Sequence, residues 1–302
     1  MTAQTHATEL GPAGAYELAA PEGPLKLALD VFAENRLALA STATFFVILL
    51  FCFIGPLVYR TDQVHTNIAQ TTRPPSAAHW LGTDDVGYDE LGRLMIGGQT
   101  SLEVALGAAA VAVLVGVLWG AVAGYFGGVV DAAMMRVVDA ILAIPALFLL
   151  LFVAAVTTPS VATLIAVVGL IAWLVPARLV RGETLSLRTR EYVQAVRVMG
   201  GSPLRIILRH IVPNTIGTVL VNATFQVADA ILVVAALSFL GLGIPPPAAN
   251  WGGMLSNGLN YSYAGYWWLI YPPGIVIVVT VVCFNFIGDA LRDAFEVRLR
   301  RR

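Results

Sequence analysis

Thr215, Thr218, Asn222, Gln226 and Asp229 are separated by 3, 4, 4 and 3 positions in a stretch otherwise built from apolar residues. On an α-helix such spacings bring side chains to one face. Hydroxyls, amides and a carboxylate aligned on an apolar helix can line a polar passage, or they can hydrogen-bond to a neighbouring helix where water is absent. Asp229 reads as the only acid inside a hydrophobic segment. Asn222, Gln226 and Asp229 are therefore the residues expected to line a passage.

A second concentration of polar chemistry lies at 178–214, which carries seven arginines. Its last part reads "EYVQAVRVMGGSPLRIILRHIVPN" (191–214). Residues 191–198 are helix formers, and Gly200 and Gly201 offer a left-handed C-terminal cap. Ser202 can cap a second short helix with Pro203 at its first position. Arg205, Arg209 and His210 fall towards that helix's C-terminal end, where positive charge suits the dipole. Pro213 is expected to end it. Caps and stops in this order predict a rigid basic elbow suited to docking a soluble partner, where a loop with only a charge bias would need none of them.

Enzymatic chemistry finds little support. His6, His65, His79 and His210 are scattered, and no Ser/His/Asp set, metal-spaced His/Cys cluster or paired carboxylates share a face. Cys52 and Cys283 each lie in an apolar run and read as small packed residues. A phosphate-cradling loop requires a lysine after glycine and before Ser or Thr. The one lysine, Lys26, sits in Pro24-Leu25-Lys26-Leu27, which excludes that loop.

The elements that carry these residues must be membrane helices. The chain has 302 residues, 58% hydrophobic and only 12% charged, with a mean hydropathy of +0.78. A soluble domain carries roughly twice that charged fraction. Charge-free stretches of spanning length occur at 37–59 and 104–130. Residues 140–177 form a run of 38 without a charge, roughly 57 Å if helical and too long for one crossing. Thr157-Thr158-Pro159-Ser160 supplies the break, giving a hairpin of two spans. A fifth span is expected at 215–240 and a sixth at 267–287. Pro145 is expected to kink the third span, and Pro272-Pro273-Gly274 the sixth near its outer end.

With the N-terminus in the cytoplasm, 15 of the 18 cations fall inside. The loop 60–103 then lies outside with three arginines against six acids, and 241–265 lies outside without charge. Trp251, Tyr261, Tyr263, Tyr266, Trp267 and Trp268 gather at the outer edge of the last span, where amphipathic rings settle at an interface. The second span carries a small residue at every fourth position, Ala108, Ala112, Gly116, Gly120, Gly124 and Gly128. Such a stripe lets two backbones approach closely, so Gly116, Gly120 and Gly124 are expected to pack against another helix. The first 24 residues read as a flexible, mildly acidic tail, with no basic region before an apolar run to mark a cleaved signal, and 1–35 as a whole is expected to be a cytoplasmic N-terminal tail. The first span with its outer loop occupies 36–97, a five-helix core 98–295 and a basic cytoplasmic tail 296–302.

The elbow resembles the EAA signature of permease subunits of binding-protein-dependent ABC importers. Gln194, Ala195 and Val196 stand at E-A-A, Gly200 at the glycine, and Ile211, Val212 and Pro213 at the closing I-x-P. Gln194 replaces the signature Glu and Val196 an Ala. "LGTDDVGYDELGR" (81–93), "GYFGGVVDAAMMRVVDAILAIP" (124–145), "RLVRGETLSLRTREYVQA" (178–195), "LSFLGLGIPPPAANWGGML" (237–255) and "GDALRDAF" (288–295) resemble the second permease of dipeptide/oligopeptide importers. Here Gly87-Tyr88-Asp89 stands where the family usually has Gly-Arg-Asp, and Gly92 where it often has Ser.

The resemblance implies an all-α integral membrane protein of the type I importer permease fold, with six transmembrane helices and both termini cytoplasmic in the bacterial inner membrane. It implies ATPase coupling through Gln194, Ala195, Val196, Gly200, Ile211 and Pro213, while the translocation pathway at Asn222, Gln226 and Asp229 rests on the helical spacing of those polar residues. The implied partners are a homologous second permease, two ATPase subunits, an extracytoplasmic peptide-binding (lipo)protein and membrane lipid, with no nucleic acid. No cofactor or metal is expected on this chain, ATP and Mg being used by the ATPases. The rivals are import of nickel, glutathione or another small solute by the same architecture, an ion-coupled secondary transporter, and a membrane scaffold or enzyme.

Overall fold

The computed structural model describes residues 24–300, with side chains over 29–295. Residues 1–23, the side chains of Lys26, Arg298 and Arg300, and the terminal Arg301 and Arg302 lie outside what is described. The regular elements among the described residues are all helical, with one isolated bridge between Thr83 and Asp89 and no strand.

Helix α1 (Pro24–Glu34) packs on the last helix, so part of the expected tail is structured. Asn35 separates it from α2 (Arg36–Phe53) by capping the latter, its side chain accepting from the amides of Leu37 (3.0 Å) and Ala38 (3.2 Å). A short α3 (Gly55–Val58) completes the first apolar crossing.

Helix α4 (Glu90–Phe126) is the axis of the molecule. It begins fourteen residues before the expected start of the second span, since Glu90, Arg93 and Glu103 made its first turns look like loop. Two of these charges are buried: Glu90 is 3% exposed and Arg93 7%. Asp89 caps α4, accepting from Gly92 N–H (2.9 Å), the Tyr59 hydroxyl (2.8 Å) and His79 Nδ1 (2.9 Å). Burial and the Asp89 carboxylate push the Tyr59 phenol up to about 12. A Cβ on Gly92 would lie 2.5 Å from Gln63 Nε2 and against Thr61, so those side chains occupy the space a serine would need.

After Gly127 (φ +66°) the chain turns into α5 (Gly128–Leu142). Gly128 (φ +54°) thus belongs to this corner, and the small-residue stripe ends one position earlier than its register suggests. At Pro145 the path bends by 80° into α6 (Ala146–Ala155), a break sharper than a kink. Helix α7 (Val161–Ala172) returns after the Thr157–Ser160 turn, capped by Ser160, and bends by 43° into α8 (Leu174–Leu187). Then come α9 (Glu191–Val198), α10 (Pro203–Ile206) and, through one π turn at Ile207–Ile211, α11 (Val212–Phe239). Pro213 does not end a helix here. It has no N–H and would press on the carbonyl four residues back, and the wide π turn before it lets the helix continue.

The charge-free segment 241–265 contains a further helix, α12 (Trp251–Leu259), and the last helix is α13 (Tyr271–Arg300). Pro272 and Pro273 open α13 in its first turn, where a missing N–H costs nothing, and so start the helix instead of kinking it. Trp251 and Trp268 are not interfacial rings. Trp251 is 1% exposed, its indole donating to Leu94 C=O (3.0 Å), and Trp268 donates to Thr83 C=O (3.3 Å). Trp251 locks α12 onto α4, and Trp268 locks the segment before α13 onto the loop that precedes α4. Four continuous helices are long and apolar enough to cross a membrane, and up to six crossings result if α5 with α6 and α7 with α8 each count as one bent span.

Candidate functional site

Helix α4 meets α8 along the small-residue stripe. A Cβ on Gly116 would lie 2.6 Å from Pro176 Cβ, on Gly120 2.8 Å from Arg181 N, and on Gly124 2.7 Å from Thr184 Cβ. Ala112 and Ala108 are wholly buried on the same face. The two backbones therefore touch where any side chain would hold them apart.

Along this crossing α8 carries Arg178 and Arg181, and Arg188 caps its end; they reach α5 and the α4–α5 corner. Arg181 grips Asp131 with two bonds, Nε to Oδ1 at 2.5 Å and a guanidinium nitrogen to Oδ2 at 2.6 Å. Arg178 pairs with Asp139 at 2.5 Å. Asp131 and Asp139 are eight residues apart, just over two turns, so both face α8. Arg188 donates to the terminal carbonyls of α4 at Gly124 (3.0 Å) and Tyr125 (3.4 Å), which have no partner within their own helix. The planar guanidinium forks fix the geometry of α8 as well as its charge.

The elbow follows directly. Gly201 N–H bonds to Val196 C=O (2.9 Å) and Gly200 N–H to Arg197 C=O (3.1 Å), the pair of bonds of a Schellman cap, with Gly200 at φ +83°. Ser202 caps α10 through Arg205 N–H (3.4 Å). Underneath, Val193 (2% exposed) packs with Val117, Val180, Ile206 and Ile211, so the elbow is bonded to the lower halves of α4, α8 and the π turn. Gln194 Nε2 donates to Arg188 C=O (2.9 Å). An ionised Glu at this position could not donate that bond, so the departure from the signature residue ties α9 to α8.

On the opposite side the elbow is bare. Val198 is 87% exposed, Met199 77% and Leu204 66%, beside exposed Gln194, Ala195, Arg197 and Arg205. Of the residues expected to couple, Gln194, Ala195, Val196 and Gly200 belong to this unit. Ile211 is wholly buried, and Pro213 is the first proline of α11.

The polar face of α11 divides. Thr215 is buried and bonds to its own helix at Val212 C=O (2.9 Å). Thr218 donates to Glu183 on α8. Glu183 lies on α8, the second helix of the bent α7–α8 pair. Gln226 donates to Ala172 C=O (3.3 Å), at the bend between α7 and α8. Asn222, Gln226 and Asp229 all border a cleft of about 470 Å³ whose other walls are apolar residues of α5, α6, α7 and α8. Asp229 is exposed to it, and the Asn222 carbonyl oxygen is buried without a partner.

Sequence reasoning missed the arginine clamp and the Glu183–Thr218 contact. The eight-residue spacing of Asp131 and Asp139 was the available signal. No group of three or more His, Cys, Asp or Glu is placed to hold a metal among the described residues.

Residues 116–301 match the family described as the binding-protein-dependent transport system inner membrane component. Residues 23–75 match the N-terminal TM domain of oligopeptide transport permease C. The oligopeptide transport system permease protein OppC of Escherichia coli (strain K12) is 41% identical over 271 residues, spanning 89% of this chain and 89% of that protein. The OppC protein of Bacillus subtilis (strain 168) is 38% identical over 270 residues, 89% and 88% of the two chains. The dipeptide transport system permease protein DppC of the same organism is 37% identical over 268 residues, 89% and 84%.

Proposed function

The chain belongs to the binding-protein-dependent transport system inner membrane component family, and from that premise we propose that it is the permease subunit of an ATP-driven importer of di- and oligopeptides. The names of its relatives support the peptide substrate over nickel, glutathione or another solute.

The reading assigns six crossings with both termini cytoplasmic, α6 with α5 and α8 with α7 each forming one bent span. It pairs this chain with a homologous permease, two ATPases that use ATP and Mg, and an extracytoplasmic peptide-binding protein. The core at 98–295 would carry transport, and the first span with its loop (36–97) would pack against it.

One observation carries the coupling role: an elbow with exposed Val198, Met199 and Leu204, flanked by arginines and bonded by its inner face to α4, α8 and α11. Apolar side chains on a basic cytoplasmic surface call for a protein partner. ATP binding would close the ATPases and push the elbow. The arginine clamp would pass that motion to α8 and the α4–α5 corner, and α11 would follow through the π turn. Peptide would then cross between the two permeases along the Asn222–Asp229 cleft. This is alternating access through a rigid lever.

The test is ATP-driven uptake of trialanine into proteoliposomes containing the assembled importer, with an ionophore collapsing ion gradients. Uptake that persists supports the reading. Uptake that stops with ATP retained points to an ion-coupled transporter instead.

A further inference from the structure

At the end of the bundle opposite the elbow lies a cavity of about 310 Å³, between the first turn of α4, the loop 84–85, the end of α11 and the segment leading into α12. Its charged lining is mostly acidic, set among neutral polar residues that include Asn250 and Asn257. Asp84, Asp85 and Glu90 face a single cation, Arg93. That guanidinium is already committed: it donates to Pro247 C=O (2.7 Å), lies over the Tyr88 ring at 4.4 Å and approaches Asp84 at 3.7 Å. Asp84 is also engaged, by the amides of Val86 and Tyr88.

Two groups in the cavity wall are left over. The Ser238 oxygen is buried with no hydrogen-bond partner. Glu90, 3% exposed, has no hydrogen bond or ion pair from its side chain among the described residues. Buried polar groups are rarely left so, and a carboxylate least of all. Together they call for a ligand that brings donors and positive charge.

A bare metal ion does not fit, because no three acids converge on one point among the described residues. The cavity is also of the size that holds a small molecule. Its remaining wall, including Ile244, Pro245 and Met254, is apolar. An ammonium group on a small, partly apolar body matches this lining, its charge answered by Glu90 and by Asp85, which also accepts from the Tyr261 hydroxyl at 3.4 Å.

We propose that this cavity receives the N-terminal ammonium of the peptide as it enters the permease, with Glu90 and Asp85 as its counter-charges. The inference rests on the peptide reading above and adds a subsite to it.

The test uses the purified full-length chain in lipid nanodiscs and equilibrium dialysis of radiolabelled trialanine. Saturable binding is expected at millimolar peptide. Glu90→Gln and Asp85→Asn should each weaken it by about tenfold, the loss of one charge-assisted contact, and N-acetylation of the peptide, which removes both contacts, by more than tenfold. Asp85 is only half-buried in a loop, so Asp85→Asn keeps the test sound if Glu90→Gln fails to fold. Asp62→Asn, an exposed carboxylate elsewhere, should bind as the unaltered chain does. Absence of saturable binding, equal binding of N-acetyl-trialanine, or displacement by millimolar calcium chloride would overturn the proposal. Trialanine uptake by the assembled importer is scored separately, so the subsite can fail while the transport reading stands.

Discussion

Glycine at position 120 offers the sharpest test of how the helices are held. A methyl group there would lie 2.8 Å from Arg181 N and against Ala177 C=O, both backbone atoms of a packed helix that cannot rotate away. Ordinary contact needs roughly 3.4–4 Å, so α4 and α8 would have to part by about 1 Å against backbone, at a cost of about 2–3 kcal/mol, the upper part of the range for overpacking. Replacing a helical glycine by alanine returns about 1 kcal/mol of backbone entropy. The net loss for Gly120→Ala is about 1–2 kcal/mol. Gly182 is the control, since it sits in α8 itself with nothing within 4 Å of a new Cβ. Gly182→Ala should be neutral or stabilising by up to about 1 kcal/mol. Thermal unfolding of the full-length chain in detergent should show Gly120→Ala lowered by roughly 2–8 °C, with Gly182→Ala unchanged or raised. If the two variants shift together, or Gly120→Ala melts with the unaltered chain, the close backbone crossing is not what holds α4 to α8.

Further outcomes follow from the elbow, the clamp and the cleft. Gly200→Ala places a side chain at φ +83°, where an L residue is strained by roughly 1–2 kcal/mol; uptake should fall, while Gly200→Asn, which tolerates that conformation, should retain more of it. Arg181→Ala leaves Asp131 uncompensated and should destabilise the chain by about 1–2 kcal/mol, a figure kept low because a third of the Arg181 side chain is exposed; the double variant with Asp131→Ala should melt closer to the unaltered protein. Asn222→Leu with Gln226→Leu should abolish most peptide uptake while ATPase subunits still co-purify; normal flux would remove the cleft from the pathway.

Much of this arrangement was legible in the residues, and the failures have physical causes. The elbow could be read in advance because its determinants are local: a helix former run, Gly200 at a left-handed cap, Ser202 before Pro203. The stripe at Gly116, Gly120 and Gly124 was legible as a packing face but not as to its partner, since α8 lies some 60 residues on and sequence spacing carries no information on distant contacts. Charge misled where it is buried. Glu90 and Arg93 look like loop residues, yet they begin a 37-residue helix because Asp89 caps its first turn and Arg93 donates to Pro247 C=O. Proline misled for a similar reason. Pro213 stops an ideal helix, but a π turn absorbs it, and Pro272 and Pro273 occupy a first turn where no amide is needed. The helix α12 was hidden because its stability comes from Trp251 and Gly252 wedged against α4 and α11, with Asn250 capping its first turn.

The lever role of the elbow is tested most directly by a cysteine at Val198, whose side chain is 87% exposed, in the assembled importer. Cys52 and Cys283 are buried and leave this position as the reactive one. The account predicts that Val198→Cys cross-links to an ATPase subunit carrying a partner cysteine, in a yield that changes with ATP, and that the cross-link stops peptide uptake until it is reduced. Uptake that continues at full rate through a quantitative cross-link, or an importer in which no ATPase position reaches Val198→Cys, would contradict it.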